Sequence, residues 1–488
     1  MSDLLKKTIT ELRASLDSKQ ITAEALAQEC LGAAQKHEDL NCFISINREQ
    51  IISDARNADK KIAAGEKAPL LGVPVSIKDL ILTQPGETTA GSKILKGFKA
   101  PYEATVVKKL RSAGAIIFGK TNHDEFGMGT SNENSAFGSV KNPWNTAKVP
   151  GGSSGGSAAC VAACITPASL GTDTGGSCRQ PASLCGIIGY KPTYGRNSRY
   201  GVVAFASSLD QVGIFTRTIA DLALVAESIA GQDLYDSTTV DKPVPSHSEL
   251  FSQDIKGLRI GVPKEYFVQG VSAEVATSVN LAISKLNELG AEIVDISLPN
   301  TEVGVATYYI LAPAEAASNL ARYDGIRYGH RAQDTSNLFD LYCKTRSEGF
   351  GEEVKRRIII GTYVLSSGYY DAFYLKAQRV RKLIQQDFEL AFKNKCDLIA
   401  CPTAPTTAFN LNDESMDPLA LYLQDALTIP TSLAGLPGVS IPCGFDSQGL
   451  PIGLQLIGQA WKEPEMLHVG HAFQQATDWH KKFAPIVV

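Results

Sequence analysis

Two glycine–serine clusters enclose an apolar segment between residues 151 and 181, and this arrangement limits the possible folds of the chain more than any other feature. The stretch reads GGSSGGSAACVAACITPASLGTDTGGSCRQP. A flexible linker is polar throughout, whereas residues 158–165 (AACVAACI) are apolar on every side. We predict a short, fully buried helix over these residues. The stretch is therefore expected to lie in a packed core, and its serines need an explanation other than flexibility.

Helix and strand patterns alternate along most of the 488 residues. Residues 1–40 predict two amphipathic helices, with Thr22 as the N-cap of the second. The runs GVPVSIKDL, AGAIIFGKTN and GLRIGV predict strands, and GLPGVSIPCGFDSQGLPIGLQLIG predicts a β-hairpin. This alternation is typical of a layered α/β fold. Residues 231–254 could mark a domain boundary, but αβ units continue on both sides, so we predict a surface excursion within a single domain spanning residues 1–488.

The composition is that of a soluble enzyme and disfavours several other classes of protein. The chain is 44% hydrophobic and 20% charged, and its net charge of −4 offers no basic surface for nucleic acid. The first residues lack the pattern of a signal peptide, and no apolar run reaches the ~18 residues of a membrane span. We therefore expect a cytoplasmic protein without membrane contact. The ten cysteines lack CxxC spacing, so buried thiols are expected rather than metal ligands.

The serines of the glycine-rich stretch favour nucleophilic catalysis over phosphate binding. A P-loop has a lysine directly after its last glycine, and no lysine follows GGSSGG here. A catalytic serine needs a neighbouring base, and acyl transfer also needs N–H donors for the developing oxyanion. The segment TDTGGS suits that second requirement, because Gly175 and Gly176 allow a tight turn. We take Ser177, which follows this turn, as the candidate nucleophile.

Two residues compete for the role of general base. Lys78 interrupts the apolar run GVPVSIKDL, and burial can lower a lysine pKa by ~3–5 units, which gives a usable neutral amine. A solvated lysine at a strand end is the alternative interpretation. His123 lies in the glycine-containing segment KTNHDEFGMG, but a hydrogen-bonded structural histidine is the simpler interpretation there. We therefore favour Lys78 as the base.

Lys78, Ser153 and Ser177 have the spacing of the Ser–cis-Ser–Lys triad of amidase-signature enzymes, which this chain resembles from GVPVSIKD to GLPIGLQLIG. The resemblance implies an α/β fold with a mixed central sheet between helical layers and a signature core at about residues 70–220. It implies that Ser177 attacks a carboxamide, that Ser153 follows a cis peptide bond and relays the proton, and that Lys78 is the terminal base. The implied oxyanion-hole donors are the backbone N–H groups of Thr174, Gly175 and Gly176.

The C-terminal half resembles one branch of that family, the glutamine-hydrolysing A subunits of bacterial tRNA-dependent amidotransferases. The similar segments are NLARYDGIRYGHR, TRSEGFGEEVKRRIIIGTYVLSSGYYDAFYLKAQ and CPTAPTTAF. This resemblance implies that ammonia passes to a B subunit, which holds the charged tRNA, ATP and Mg²⁺, and that a small C subunit completes a heterotrimer. No cofactor or metal is implied in this chain itself. Whether Glu-tRNA(Gln), Asp-tRNA(Asn) or both are served stays open.

A glutamine substrate places specific demands on the site, since its α-carboxylate needs a cation and its α-ammonium an anion. Arg357 in EVKRRI can bind a carboxylate bidentately, and Asp425 in YLQDALT can hold the ammonium. The resemblance also implies a tyrosine contact from ATYYI, and we prefer Tyr308 over Tyr309. Arg357 as an ordinary charge on a helix surface is the alternative. The alternative function is a stand-alone amidase acting on small or acyl amides, which needs neither Arg357 nor Asp425.

Overall fold

A mixed β-sheet of 11 strands forms the centre of the protein. The structure is a computed structural model and describes residues 2–267, 270–413 and 418–488. The strands are β1 (Phe43–Ser45), β2 (Pro74–Lys78), β3 (Ile116–Thr121), β4 (Ala168–Asp173), β5 (Ile188–Lys191), β6 (Gln211–Thr216), β7 (Arg259–Pro263), β8 (Glu292–Ile296), β9 (Leu398–Pro402), β10 (Gly438–Phe445) and β11 (Pro451–Ile457). Their order is β1-β3-β2-β4-β6-β5-β10-β11-β9-β7-β8. Strand β2 is parallel to β3 and β4, and β7 is parallel to β8 and β9, whereas the other neighbours are antiparallel.

Helices fill most of the connections between these strands. They are α1 (Ile9–Asp17), α2 (Ala23–Lys36), α3 (Arg48–Ala63), α4 (Thr105–Ser112), α5 (Gly155–Ala162), α6 (Arg179–Cys185), α7 (Ile219–Ile229), α8 (Ala273–Glu288), α9 (Gly304–Asn319), α10 (Leu338–Gly349), α11 (Glu352–Val364), α12 (Lys376–Asn394), α13 (Pro418–Leu423), α14 (Ile429–Leu433) and α15 (Glu463–Gln475). A short π-helical segment, Tyr370–Leu375, directly precedes α12.

The helices pack on both faces of the sheet, because successive strand residues point to opposite sides. On β6, Val212 and Ile214 join an apolar cluster that includes residues of α4, α7, α8 and α15. Phe215, next along the strand, instead joins a cluster with α2, α5 and α6. A third cluster contains residues of α9, α11, α12 and α14. The prediction of a mixed sheet between helical layers is confirmed.

Several predicted elements lie where the sequence placed them. Thr22 caps α2 by accepting a hydrogen bond from the backbone N–H of Ala25, and β10 and β11 form the predicted antiparallel hairpin. The helix predicted over residues 158–165 begins earlier, at Gly155, and ends at Ala162. It ends early because Cys164 has a left-handed backbone, with φ +53°, which an α-helix cannot continue.

Nine of the ten cysteines are buried free thiols, as predicted, but Cys343 is exposed. The prediction of burial is wrong for Cys343 because it is not on the face of α10 that carries the buried residues Leu341, Thr345 and Gly349. In the ranges that the structure describes, no helix is both long and apolar enough to cross a bilayer. Residues 231–254, all of them described, contain no α-helix and no β-strand.

Candidate active site

The carboxyl ends of two parallel strands bring the predicted triad residues to one edge of the sheet. Strand β2 ends at Lys78, and its parallel neighbour β4 ends at Asp173. The crevice outside such strand ends is the usual ligand site of sheets of this kind. From β4 the chain turns through Ser177 into α6, and Ser153 lies just before the start of α5 at Gly155.

The amino group of Lys78 is buried among hydroxyl groups. Its Nζ donates to Ser153 Oγ at 2.8 Å, to Ser154 Oγ at 2.8 Å and to Thr172 Oγ1 at 2.9 Å. These three bonds use every N–H of a charged ammonium. The Ser154 hydroxyl donates to the carbonyl oxygen of Thr172 at 3.1 Å, so its hydrogen is already engaged. The hydroxyls of Ser153 and Thr172 are therefore the ones that can donate to a neutral Lys78 amine.

Burial of Lys78 makes the neutral amine that a base requires more accessible than it is in water. Burial lowers the pKa of Lys78 to about 8, against the opposing effect of nearby acidic groups such as Asp124 and Asp173. The alternative of a solvated lysine is wrong, because Lys78 is fully buried. His123 has the structural position expected of it, with Nδ1 2.7 Å from the carbonyl oxygen of Asp124. Burial lowers the pKa of His123 well below its ordinary value.

Ser153 lies on a backbone that is held from several sides. The peptide bond between Gly152 and Ser153 is cis, as the family resemblance implied. A Cβ on Gly152 would lie 2.2 Å from Asp124 Oδ2, so a side chain does not fit there. The Asp124 backbone N–H donates to the Ser153 carbonyl oxygen at 3.1 Å, and the Gly152 N–H donates to Gln180 Oε1 at 3.1 Å. These contacts keep Ser153 beside Lys78.

Ser177 ends a loop whose backbone donors are unused. Within the described ranges, the N–H groups of residues 174–177 donate to no protein acceptor. The loop is fixed at its base by a buried ion pair, in which Nε and Nη2 of Arg179 each lie 3.0 Å from a carboxylate oxygen of Asp173. Ser177 is 7% exposed, whereas Ser153 is 1% and Lys78 0% exposed, so Ser177 is the triad residue with the most contact with solvent. Free N–H groups beside the candidate nucleophile are what an oxyanion hole requires.

Arg357 lies in a box of aromatic rings and not on the surface of its helix. It is 2% exposed, and its Nε donates to Glu353 Oε1 at 2.8 Å. Its two terminal nitrogens have no hydrogen-bond partner within the described part of the chain. They are therefore free for a planar anion such as a carboxylate. The guanidinium carbon lies 5.1–5.6 Å from the ring centroids of Phe205, Tyr309 and Tyr422.

Asp425 and Tyr308 flank the glycine turn that precedes Ser177. A Cβ on Gly176 would lie 3.2 Å from Asp425 Oδ1, and one on Gly175 would lie 2.9 Å from the Tyr308 ring. Asp425 Oδ2 accepts a hydrogen bond from the hydroxyl of Thr130 at 2.9 Å, whereas the buried Oδ1 has no hydrogen-bond partner among the described residues. Burial raises the pKa of Asp425 to about 8. A buried carboxylate oxygen without a partner is suited to a cationic ligand group.

Sequence reasoning missed several hydroxyl groups of this site. An ammonium has three donors, and Ser153, the proton relay, was the only partner assigned to Lys78. Counting donors and acceptors could therefore have indicated Ser154 and Thr172, which are close to assigned residues in the sequence. Thr130 has no such local signal, because its partner Asp425 is 295 residues away.

Comparison with known proteins identifies the family. Residues 25–467 match the family described as Amidase. The chain belongs to the amidase family. This amidase is 53% identical over 488 residues to the A subunit of glutamyl-tRNA(Gln) amidotransferase from Ralstonia nicotianae, with 97% of this chain and 98% of the relative covered. It is 54% identical over 485 residues to the corresponding A subunit from Trichlorobacter lovleyi, with 99% and 100% covered.

Solved structures agree with the fold of this amidase. The A subunit of glutamyl-tRNA(Gln) amidotransferase from Thermotoga maritima is 39% identical, with a TM-score of 0.81 and 98% of this chain and 96% of that chain covered. A 6-aminohexanoate cyclic dimer hydrolase is 24% identical, with a TM-score of 0.84 and 99% of both chains covered, and it shares the fold. The predicted family and fold class are confirmed.

Proposed function

We propose that this amidase hydrolyses glutamine as the A subunit of a tRNA-dependent amidotransferase. The observation that carries the proposal is that an arginine and an aspartate near the loop of residues 174–177 each have an unpaired polar atom for a charged group of the substrate. Arg357 has free terminal nitrogens, and Asp425 has a buried oxygen without a partner among the described residues. The α-carboxylate and α-ammonium of glutamine require such a pair, whereas a simple acyl amide requires neither. The names of the relatives in Ralstonia nicotianae and Thermotoga maritima support the same assignment.

The proposed reaction is acyl transfer through an ester intermediate. The Ser177 hydroxyl attacks the side-chain carbonyl carbon of glutamine and passes its proton to Ser153, whose own proton moves to the neutral amine of Lys78. The N–H groups of residues 174–176 donate to the oxyanion. The carbon–nitrogen bond breaks, and the proton returns through Ser153 to the leaving group, which departs as ammonia. Water then hydrolyses the γ-glutamyl ester by the same relay and releases glutamate.

The proposed substrate contacts follow from the positions of the charged groups. The terminal nitrogens of Arg357 bind the α-carboxylate, and Asp425 Oδ1 accepts from the α-ammonium. Tyr308 adds a contact from beside Gly175, where its ring packs against the turn. Tyr309 instead lies against the guanidinium of Arg357, with 5.1 Å from the guanidinium carbon to the ring centroid. We therefore assign the substrate contact to Tyr308.

The proposal includes partners that complete the amidotransferase. The ammonia is consumed on a B subunit, which binds the charged tRNA and activates its aminoacyl carboxylate with ATP and Mg²⁺. A C subunit completes a cytoplasmic heterotrimer in which this chain is a single domain. The net charge of −4 suits a chain that leaves most of the tRNA contact to its partner, because a polyanion favours a basic surface.

The decisive experiment measures ammonia release from glutamine by the purified chain, alone and then with B and C subunits, charged tRNA and ATP. We expect glutamine hydrolysis to rise about tenfold or more with the full set, as coupled sites require. Rapid hydrolysis of simple amides by the chain alone, unchanged by the partners, would contradict the proposal. That result would instead indicate a stand-alone amidase.

Replacing Arg357 with alanine should raise the KM for glutamine about 30-fold or more, because losing one partner of a buried charge pair costs about 2–5 kcal/mol. The measurement is steady-state ammonia release at varied glutamine concentration. Arg356→Ala is the matched control, since Arg356 is paired with the same Glu353 but its side chain is 48% exposed. Its KM should stay within about twofold of wild type. An unchanged KM in Arg357→Ala would remove Arg357 from the substrate site.

Glutamine hydrolysis should increase with pH and level off above about 8. The pKa of Lys78 is about 8, so below that pH the neutral fraction of the base grows roughly tenfold per unit. Asp425 also has a pKa of about 8, and its carboxylate form, which predominates at higher pH, binds the α-ammonium more tightly. Profiles of kcat and KM between about pH 6 and 9 separate the two effects. Tighter binding means that KM of the wild type falls as the pH rises. Asp425→Asn should abolish this fall in KM but keep the rise of kcat with pH. A wild-type kcat that does not change with pH would contradict the assignment of Lys78 as the base.

A further inference from the structure

The peptide unit between Gly175 and Gly176 is held from one side by Thr428. The Thr428 hydroxyl donates to the carbonyl oxygen of Gly175 at 2.7 Å, and Thr428 is fully buried. In a trans peptide the C=O and N–H of the same unit point in opposite directions. The hydrogen bond on the carbonyl side therefore directs the N–H of Gly176 away from Thr428. That N–H is one of the loop donors with no acceptor in the described chain.

Thr428 is itself held in place by several neighbours. Its carbonyl oxygen accepts from Arg179 Nη1 at 3.0 Å, and its hydroxyl also lies 3.1 Å from the carbonyl oxygen of Asp425. A Cβ on Gly176 would lie 2.1 Å from Thr428 Oγ1, at a φ of +148°, so the glycine leaves the space that the hydroxyl occupies. The hydroxyl thus links the loop before Ser177 with the segment that carries Asp425.

We propose that Thr428 is a positioning residue for the oxyanion hole: its hydroxyl orients the Gly176 N–H and ties that orientation to the segment carrying Asp425. The inference rests on the proposed acyl transfer at Ser177, but it does not require glutamine to be the substrate. Thr428 acts through the Gly175 carbonyl and not by touching substrate. Because the oxyanion forms only in the transition state, the hydroxyl contributes to kcat and little to substrate binding.

The test uses two substitutions that separate the hydroxyl from the shape of the side chain. Thr428→Val keeps the shape of the side chain and removes the hydroxyl. It should lower kcat for glutamine about 10- to 100-fold and leave KM within about threefold of wild type. The expected loss is smaller than the roughly 10²- to 10³-fold fall in kcat that follows loss of a whole oxyanion donor. Thr428→Ser restores the hydroxyl and should keep at least about a third of the wild-type kcat. The matched control is Thr431→Val, because Thr431 is also fully buried and its hydroxyl has no partner among the described residues. Thr431→Val should have a wild-type kcat.

Three results would overturn the proposal. They are a wild-type kcat in Thr428→Val, a Thr428→Ser enzyme as impaired as Thr428→Val, and an effect confined to KM.

A second measurement separates this proposal from the glutaminase assignment. The wild type and the three variants are treated with a fluorescent fluorophosphonate, which Ser177 attacks at phosphorus with loss of fluoride while the phosphoryl oxygen occupies the oxyanion hole.

The labelling reaction uses the same loop donors without requiring glutamine. Thr428→Val should be labelled about tenfold more slowly than wild type, and Thr428→Ser at close to the wild-type rate. A wild type that is labelled but does not hydrolyse glutamine would refute the glutaminase function alone, and the labelling rates would still decide the role of Thr428. Equal labelling of Thr428→Val and wild type would overturn that role.

Discussion

Replacing Ser177 with alanine should lower ammonia release from glutamine about 10⁴-fold or more, as loss of a nucleophile does in other serine enzymes. Without the hydroxyl no γ-glutamyl ester forms, and the loop donors then have no oxyanion to stabilise. The measurement is ammonia release by the assembled complex with charged tRNA and ATP. Because the loop is held by the Arg179–Asp173 ion pair and by the hydrogen bond from Thr428 to Gly175, removal of the Ser177 hydroxyl should leave the fold and the assembly intact.

Added ammonium chloride distinguishes lost chemistry from lost assembly. The complex that contains Ser177→Ala should still amidate charged tRNA when ammonium chloride replaces glutamine, since the amide hydrolysis is then bypassed. Ser183→Ala is the matched control, because Ser183 is a buried serine of the neighbouring helix α6, and it should keep its glutamine-dependent activity. If Ser177→Ala hydrolyses glutamine at the wild-type rate, the nucleophile has been assigned wrongly.

Replacing Lys78 with methionine should lower kcat about 10³-fold or more. The stem of the side chain keeps its packing, but the relay loses its base, and general base catalysis contributes about 10²–10⁴-fold. Lys78→Arg tests the reason for the loss. A guanidinium stays charged at every accessible pH, so Lys78→Arg should also be inactive although it keeps a positive charge at the site. The measurement for both variants is kcat for glutamine across the pH range used for the wild type.

A second buried lysine supplies the control for Lys78. Lys191 on β5 is also buried, and burial lowers the pKa of Lys191 to about 7. Its amino group donates to the carbonyl oxygen of Pro192 and not to the hydroxyl groups that surround Lys78. Lys191→Met should keep kcat within about tenfold of wild type. A Lys78→Arg enzyme with wild-type kcat would show that a positive charge suffices and that Lys78 is not the base.

The sequence was most informative where a local pattern had a single physical interpretation. Thr22 before an amphipathic run predicted an N-cap, and Thr22 accepts the hydrogen bond of a cap from the backbone N–H of Ala25. An apolar segment between glycine–serine clusters predicted a buried helix, and α5 is buried along its whole length. Strand and helix alternation likewise predicted the layers. In these cases the composition of a few consecutive residues determines the environment.

The sequence was least informative where a contact joins distant segments. The hydrogen bond from Thr428 to the Gly175 carbonyl spans 253 residues, and no property of either segment alone indicates it. The same holds for the aromatic rings around Arg357, which come from three separate parts of the chain. The burial of Arg357 depends on those rings and not on the sequence of α11. The sequence alone therefore did not distinguish a buried Arg357 from one on the surface of its helix.

In the proposed mechanism, the burial of Lys78 among hydroxyl groups also determines the form in which nitrogen leaves the enzyme. Lys78 has no contact with solvent, so within one turnover a proton that it takes from the serines returns to them faster than it exchanges with bulk water. The proton gained during attack is thus the one delivered to the departing nitrogen, in a closed circuit. The product is then uncharged NH₃, which still has its lone pair and is the nucleophilic form of nitrogen that the proposed transfer to a partner subunit needs.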